Sequence, residues 1–138
     1  MDLESCYRKN FIKKTRADLG LIKSLIEMSK IKENSVKEAK ISEINISAYV
    51  SMAYDSLREV LEALGISRGY KVTSHICLGE LLKSLIHEFD FVSFDRFRYI
   101  RNGINYYGTK IDYEQGKKII TKMFKMKSNI IKKYLKKI

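Results

Sequence analysis

The chain has 138 residues, 45% of them hydrophobic, which suits one domain over residues 1–138 that buries about two-thirds of its unfolded surface, with no second domain needed. No apolar run approaches the roughly twenty residues of a membrane span, and Asp2, Glu4, Arg8 and Lys9 interrupt any apolar leader, so a soluble, cytoplasmic chain with no membrane partner is expected. The formal charge of +11 is uneven, +4 over residues 1–40, −1 over 41–108 and +8 over 109–138, and points to an anionic partner. Nucleic acid comes first and an anionic membrane surface second. A lysine-rich proteome in a hot-living organism would give the same excess without a partner.

Proline is absent and glycine sparse, so the usual helix breakers are missing, and no strand-like alternation is sustained. The first helix is predicted over about Leu3–Lys32, with Leu19, Ile22, Ile26 and Met28 as candidate apolar positions. Ser35 with Glu38 reads as a capping box that opens a second helix, running to about Leu64 where Gly65 stops it. Ile41, Ile44, Ala48, Met52, Leu57 and Leu64 would lie on its buried stripe, and small residues such as Ser51 and Ser56 would admit a close neighbour. Ile66–Val72 reads as a connection. A third helix starts near Thr73 or Ser74 and runs to about Phe89, burying Ile76, Leu78, Leu81, Leu82, Leu85 and Ile86.

The fourth helix is capped at Asp90 or Ser93, and Asp112 with Gln115 has the spacing that opens the last one. That last helix sets Ile119, Ile120, Met123, Ile130, Leu135 and Ile138 on one side and nine lysines elsewhere, a solvated face or an RNA-backbone contact. Five antiparallel helices with short connections make an all-α, up-and-down bundle. The two cysteines, Cys6 and Cys77, read as free thiols in a reducing compartment rather than as a disulfide framework. Glu80, Glu88, Asp90 and Asp95 form no metal-ligand spacing, and neither metal nor cofactor is expected.

Chemistry concentrates in Arg96–Gly108, RFRYIRNGINYYG, which holds three of the seven arginines, two asparagines, four aromatics and no acid. A guanidinium fork fits phosphate oxygens in pairs, and aromatic faces are platforms for bases. On a helix Arg101 and Asn105 share a face, as do Arg98 and Asn102, and Asn102 and Tyr106. Phe97, Ile100 and Ile104 fall on another side as the apolar stripe, so an ordinary amphipathic helix with solvated arginines is the plainer alternative. Gly103, which costs about 1 kcal/mol inside a helix, suggests close approach by a backbone or ligand. Gly108 is placed to end the helix as a left-handed cap.

The run RNGINYYG resembles the signature of the HEPN superfamily, an arginine, a polar residue and, after four intervening residues, a histidine near a helix end. Arg101 stands at the arginine position, Asn102 at the polar one and Tyr106 where the histidine would be. AYVSMAYDSLREVLEALG at Ala48–Gly65 and GYKVTSHICLGELL at Gly69–Leu82 are similar to the same family, so the resemblance covers roughly the central half of the chain. It implies a HEPN-like helical domain whose arginine helix pairs two copies in a homodimer, leaving the Arg101 guanidinium exposed in the groove between them. It also implies metal-independent RNA cleavage where the histidine is present, and pairing with a minimal nucleotidyltransferase as antitoxin.

In that chemistry a histidine takes or gives a proton at the ribose and leaving oxygens, while arginine stabilises charge gathering on phosphorus. Tyr106, with an ordinary pKa of about 10, is a poor base at neutral pH but can donate a hydrogen bond or stack. The implied roles are Arg101 on the phosphate, Asn102 on the phosphate or a ribose hydroxyl, Arg98 as added charge and Tyr106 in the histidine's place. Asn105 and Tyr107 complete the phosphate-binding set. Tyr106 and Tyr107 also stand near the place where a nucleotidyltransferase partner modifies a HEPN tyrosine. His75 reads as a helix-start residue bonded to backbone, and His87 as a buried or interface residue. RNA or nucleotide binding, with or without cleavage, is thus one expectation. The other is a non-catalytic helical module for a protein partner, with its basic surface incidental.

Overall fold

Residues 1–136 are described by a computed structural model, and their axis is the helix α3, Ile46–Ser67. Val50, Tyr54, Leu57, Leu61 and Leu64 are wholly buried along it, so apolar faces can pack on it from several sides. Before it come α1 (Leu3–Arg8), the strand β1 (Ile12–Lys14) and α2 (Leu19–Glu38). After it come the strand β2 (Tyr70–Val72), α4 (His75–Leu85), α5 (Phe91–Tyr107) and α6 (Tyr113–Ile130), which ends in a π-helical turn, Ile131–Leu135. The all-helical class is as expected, with six α-helices and one small sheet among the described residues. No helix among them is long and apolar enough to cross a membrane.

Local signals set most of the later boundaries. Ser74, Asp90 and Asp112 each accept a hydrogen bond from a backbone N–H three residues on, capping α4, α5 and α6. Gly108 ends α5 in the left-handed region at φ 65°, as expected. α6 lies close against α3 because Gly116 has no Cβ: one built there would collide with Cγ1 of Ile46. Ile119, Ile120, Met123, Ile130 and Leu135 are buried as expected, while Ile138 lies outside the described residues.

Earlier in the chain the sequence reading needs correction. The single helix over Leu3–Lys32 is broken, because Asn10 turns the chain at φ 61° and β1 pairs antiparallel with β2, Ile12 opposite Val72. Three-residue strands are too short to show a period, and a neighbour distant in sequence fixes them. Leu19 and Met28 are exposed in consequence. The capping box at Ser35 does not form: α2 continues through it and Ser35 Oγ donates to the Ile31 carbonyl instead. α3 begins only at Ile46, after a turn in which Asn45 Oδ1 accepts from the Ser42 N–H, and Ile44, expected in the core, is 96% exposed. Ala48 and Ile76 are exposed too, and α4 ends at Leu85 rather than Phe89.

Cys6 and Cys77 are not free thiols but a disulfide that ties α1 to the start of α4. Their burial with Ile12 and Leu81 makes a second, smaller core under the sheet. The thiol argument for a reducing compartment falls with it.

Lys127 also departs from expectation. It is on the buried side of α6 with its side chain 4% exposed, where its ammonium donates to the Ser29 carbonyl and Ser56 Oγ and pairs with Glu33 at 2.6 Å. Ser29 and Ser56 bond each other across α2 and α3, so three helices meet at one satisfied polar knot.

Candidate functional site

α5 packs on α3 through Phe94 and Phe97, and this contact turns one polar edge of α5 toward α3. Arg101 stands on that edge. Its guanidinium carbon lies 5.7 Å from the ring of Tyr54 and 5.9 Å from that of Tyr106, a cation held between two aromatic faces. The nearest acid is Asp55, at 3.5 Å, and the side chain is only 14% exposed. The guanidinium is therefore sunk between α3 and α5 of one chain, not displayed on an open groove.

Asp55 also faces Arg58, at 3.8 Å, while Arg58 bonds Glu62 at 2.7 Å. Among the described residues the buried Nε of Arg101, the Nε of Arg58 and the Oδ1 of Asp55 have no hydrogen-bond partner. Unmade bonds of this kind are costly inside a protein, roughly 1–3 kcal/mol for each group. Both Nε donors are buried beside the equally unpartnered Oδ1 of Asp55, a loosely made cluster rather than a closed ion pair.

Arg98, expected to add free charge, is instead bonded by Nε and Nη2 to Asp95 one turn earlier. Asn105 is held by Ser51, whose hydroxyl donates to its Oδ1 at 2.9 Å. Tyr106 is 70% exposed on the outer ridge of α5. Asn102 and Tyr107 line a separate cleft between α5 and the start of α6, so the structure divides the expected residues between two flanks of one helix. Arg101, Arg98 and Asn105 are on the α3 flank, and Asn102 and Tyr107 on the other.

His75 departs from its expected backbone bond, because its Nδ1 lies 3.2 Å from the hydroxyl of buried Tyr54. Burial, helped by Arg58 and Arg101, pulls the imidazole down to about 4, and burial pushes the Tyr54 phenol up. At neutral pH both groups are therefore uncharged and share this one hydrogen bond, its direction set by the imidazole tautomer. His87 is exposed in the connection after α4, not on an apolar helix face, because α4 has already ended.

Comparison with family models, curated proteins and solved structures gave no match. Tyr54, Asp55, Arg58 and His75 were not singled out as partners of Arg101 by the sequence. The one signal present was AYDSLRE, which puts an acid and an arginine three apart inside a helix that is otherwise core.

Proposed function

We propose that the chain is a HEPN-like protein that binds RNA or a nucleotide phosphate beside Arg101. In this reading it works as a homodimer and as the toxin-like partner of a nucleotidyltransferase antitoxin. The observation that carries it is the state of Arg101: a guanidinium between two tyrosine rings, with a buried donor lacking an acceptor and its acid 3.5 Å away. A phosphate would accept from the guanidinium in pairs, which is stronger than the loose contact with Asp55. Tyr106 can stack on the adjoining base.

Binding is favoured over cleavage, since Tyr106 stands where the motif histidine would be and the Nδ1 of His75 is engaged with the buried hydroxyl of Tyr54. Incubating purified protein with RNA beside Arg101→Ala tests both versions. Product formed by wild type alone makes it a metal-independent endoribonuclease; weaker binding by the variant, with intact RNA throughout, makes it a binder. Equal binding by both removes the reading.

A non-catalytic protein-interaction module is the second reading, and the outer face of α5 favours it: Val92, Tyr99 and Tyr106, seven apart, are all exposed. Phosphate binding weakens steeply with salt, whereas an apolar interface does not.

A further inference from the structure

Resting on the RNA reading above, we propose that the cleft between α5 and the start of α6 is a pocket for one nucleobase of single-stranded RNA. The α5–α6 connection forms its far wall and is pinned at both ends. The N–H groups of Gly108 and Thr109 both donate to the Gly103 carbonyl, and the N–H of Ile111 donates to Ser47 Oγ on α3 at 3.0 Å. The cleft they hold open is about 700 Å³, inside the roughly 300–1,000 Å³ usual for small-ligand sites. Gly103 lies in its lining, where a Cβ would meet Thr109 Oγ1 at 3.5 Å, an ordinary contact.

The floor is apolar, from Ile100, Ile104 and Ile119, and the rim carries two tyrosine rings. Tyr99 is 74% exposed and Tyr107 83%, so both rings present faces that the chain itself does not cover. Apolar floor and aromatic rim suit the face of a base, which every nucleobase offers. The carboxamides of Asn102 and Gln115 supply both donors and acceptors for its edge. Arg96 and Lys110 bring cations for the flanking phosphates, against the single carboxylate of Asp112, which is occupied in capping α6. Tyr106 stands on the ridge between this cleft and Arg101, so one strand crossing α5 could reach both flanks.

The test is fluorescence anisotropy with a fluorescein-labelled oligoadenylate and a matched abasic RNA, using wild type, Tyr99→Ala, Tyr107→Ala, Tyr99→Phe, Tyr107→Phe and Arg101→Ala. Wild type should bind the base-bearing oligomer roughly tenfold tighter than the abasic one, the worth of a stacked base. Each alanine variant should lose most of that preference, and each phenylalanine variant should keep it. Arg101→Ala should weaken both oligomers alike. If Arg101→Ala is silent while the tyrosine variants lose the preference, the pocket stands and the phosphate assignment at Arg101 falls. Equal affinity for both oligomers, or alanine variants that bind as wild type, would overturn the pocket. Failure of wild type to bind either RNA overturns it together with the reading beneath it.

Discussion

The Nδ1 of His75 lies 3.2 Å from the hydroxyl of Tyr54, which is fully buried and stacked on Phe94. The neutral ring is therefore the native form, with a pKa of about 4 against an ordinary 6.5, through burial first and then Arg58 and Arg101. Because the unfolded chain binds the extra proton, His75 contributes stability that is complete above about pH 6.5 and is lost as pH falls toward 4. The ring keeps some solvent contact, so the loss is on the order of 1–2 kcal/mol. Urea melts from pH 7 down to pH 4 should show that decline, and His75→Gln should flatten it. An NMR titration of His75 with a midpoint near 6.5 would refute the assignment.

Lys127 lies among Glu33, Ser29 and Ser56 with its ammonium out of water. Burial lowers its proton affinity against the opposing pull of Glu33; for Glu33 burial is outweighed, and bonds from Lys127 and Lys37 hold the carboxyl below its usual range. Removing one partner of a buried pair costs about 3–5 kcal/mol, while removing both is close to neutral. Lys127→Met should thus lower the urea midpoint strongly, and Lys127→Met with Glu33→Gln should recover much of it. A single variant that melts like wild type would place Lys127 on the solvated face.

Gly116→Ala sets two effects against each other. Alanine gains about 1 kcal/mol of helix propensity, but the new Cβ collides with Ile46 and pushes α6 from α3, typically about 1–3 kcal/mol. Net destabilisation near 1 kcal/mol is expected, and Ile46→Val should relieve little of it, because valine keeps a γ-methyl where Cγ1, the closest atom, stands. A stabilised variant would mean the two helices are farther apart than described.

The Cys6–Cys77 disulfide spans 71 residues of sequence, so opening it frees a long loop in the unfolded chain, worth about 4 kcal/mol on the chain-entropy account. α1 has only six residues and cannot hold itself as an isolated helix. Cys6→Ser should lower the melting temperature and speed hydrogen exchange over residues 3–14 before the core of α3 responds. Exchange unchanged there would show that the sheet alone anchors the N-terminal segment.

The parts legible in the sequence are those written in local chemistry. Ser74, Asp90, Gly108 and Asp112 act through bonds a few residues long, and each marks the boundary its residue type suggests. The break after Arg8 was hidden because strand pairing across the chain and a disulfide impose it. Lys127 was legible in position, one turn after Met123 and three before Ile130, but its charge masked the period. For the site, the sequence found the helix and not the partners. Which of Arg98, Arg101 and Asn102 would meet α3 depends on how the two helices are rotated, and nothing in the sequence marks Tyr54 as the ring that Arg101 meets.

The affinity of Arg101→Ala for a labelled single-stranded RNA, followed across a range of salt, is the most direct test of phosphate binding at that guanidinium. A contact to phosphate predicts roughly tenfold weaker binding and a log–log salt slope smaller by about one, with the melting temperature recorded to show that the fold is kept. Isotherms that superimpose on wild type at every salt concentration would contradict it, and leave Arg101 as the structural partner of Asp55.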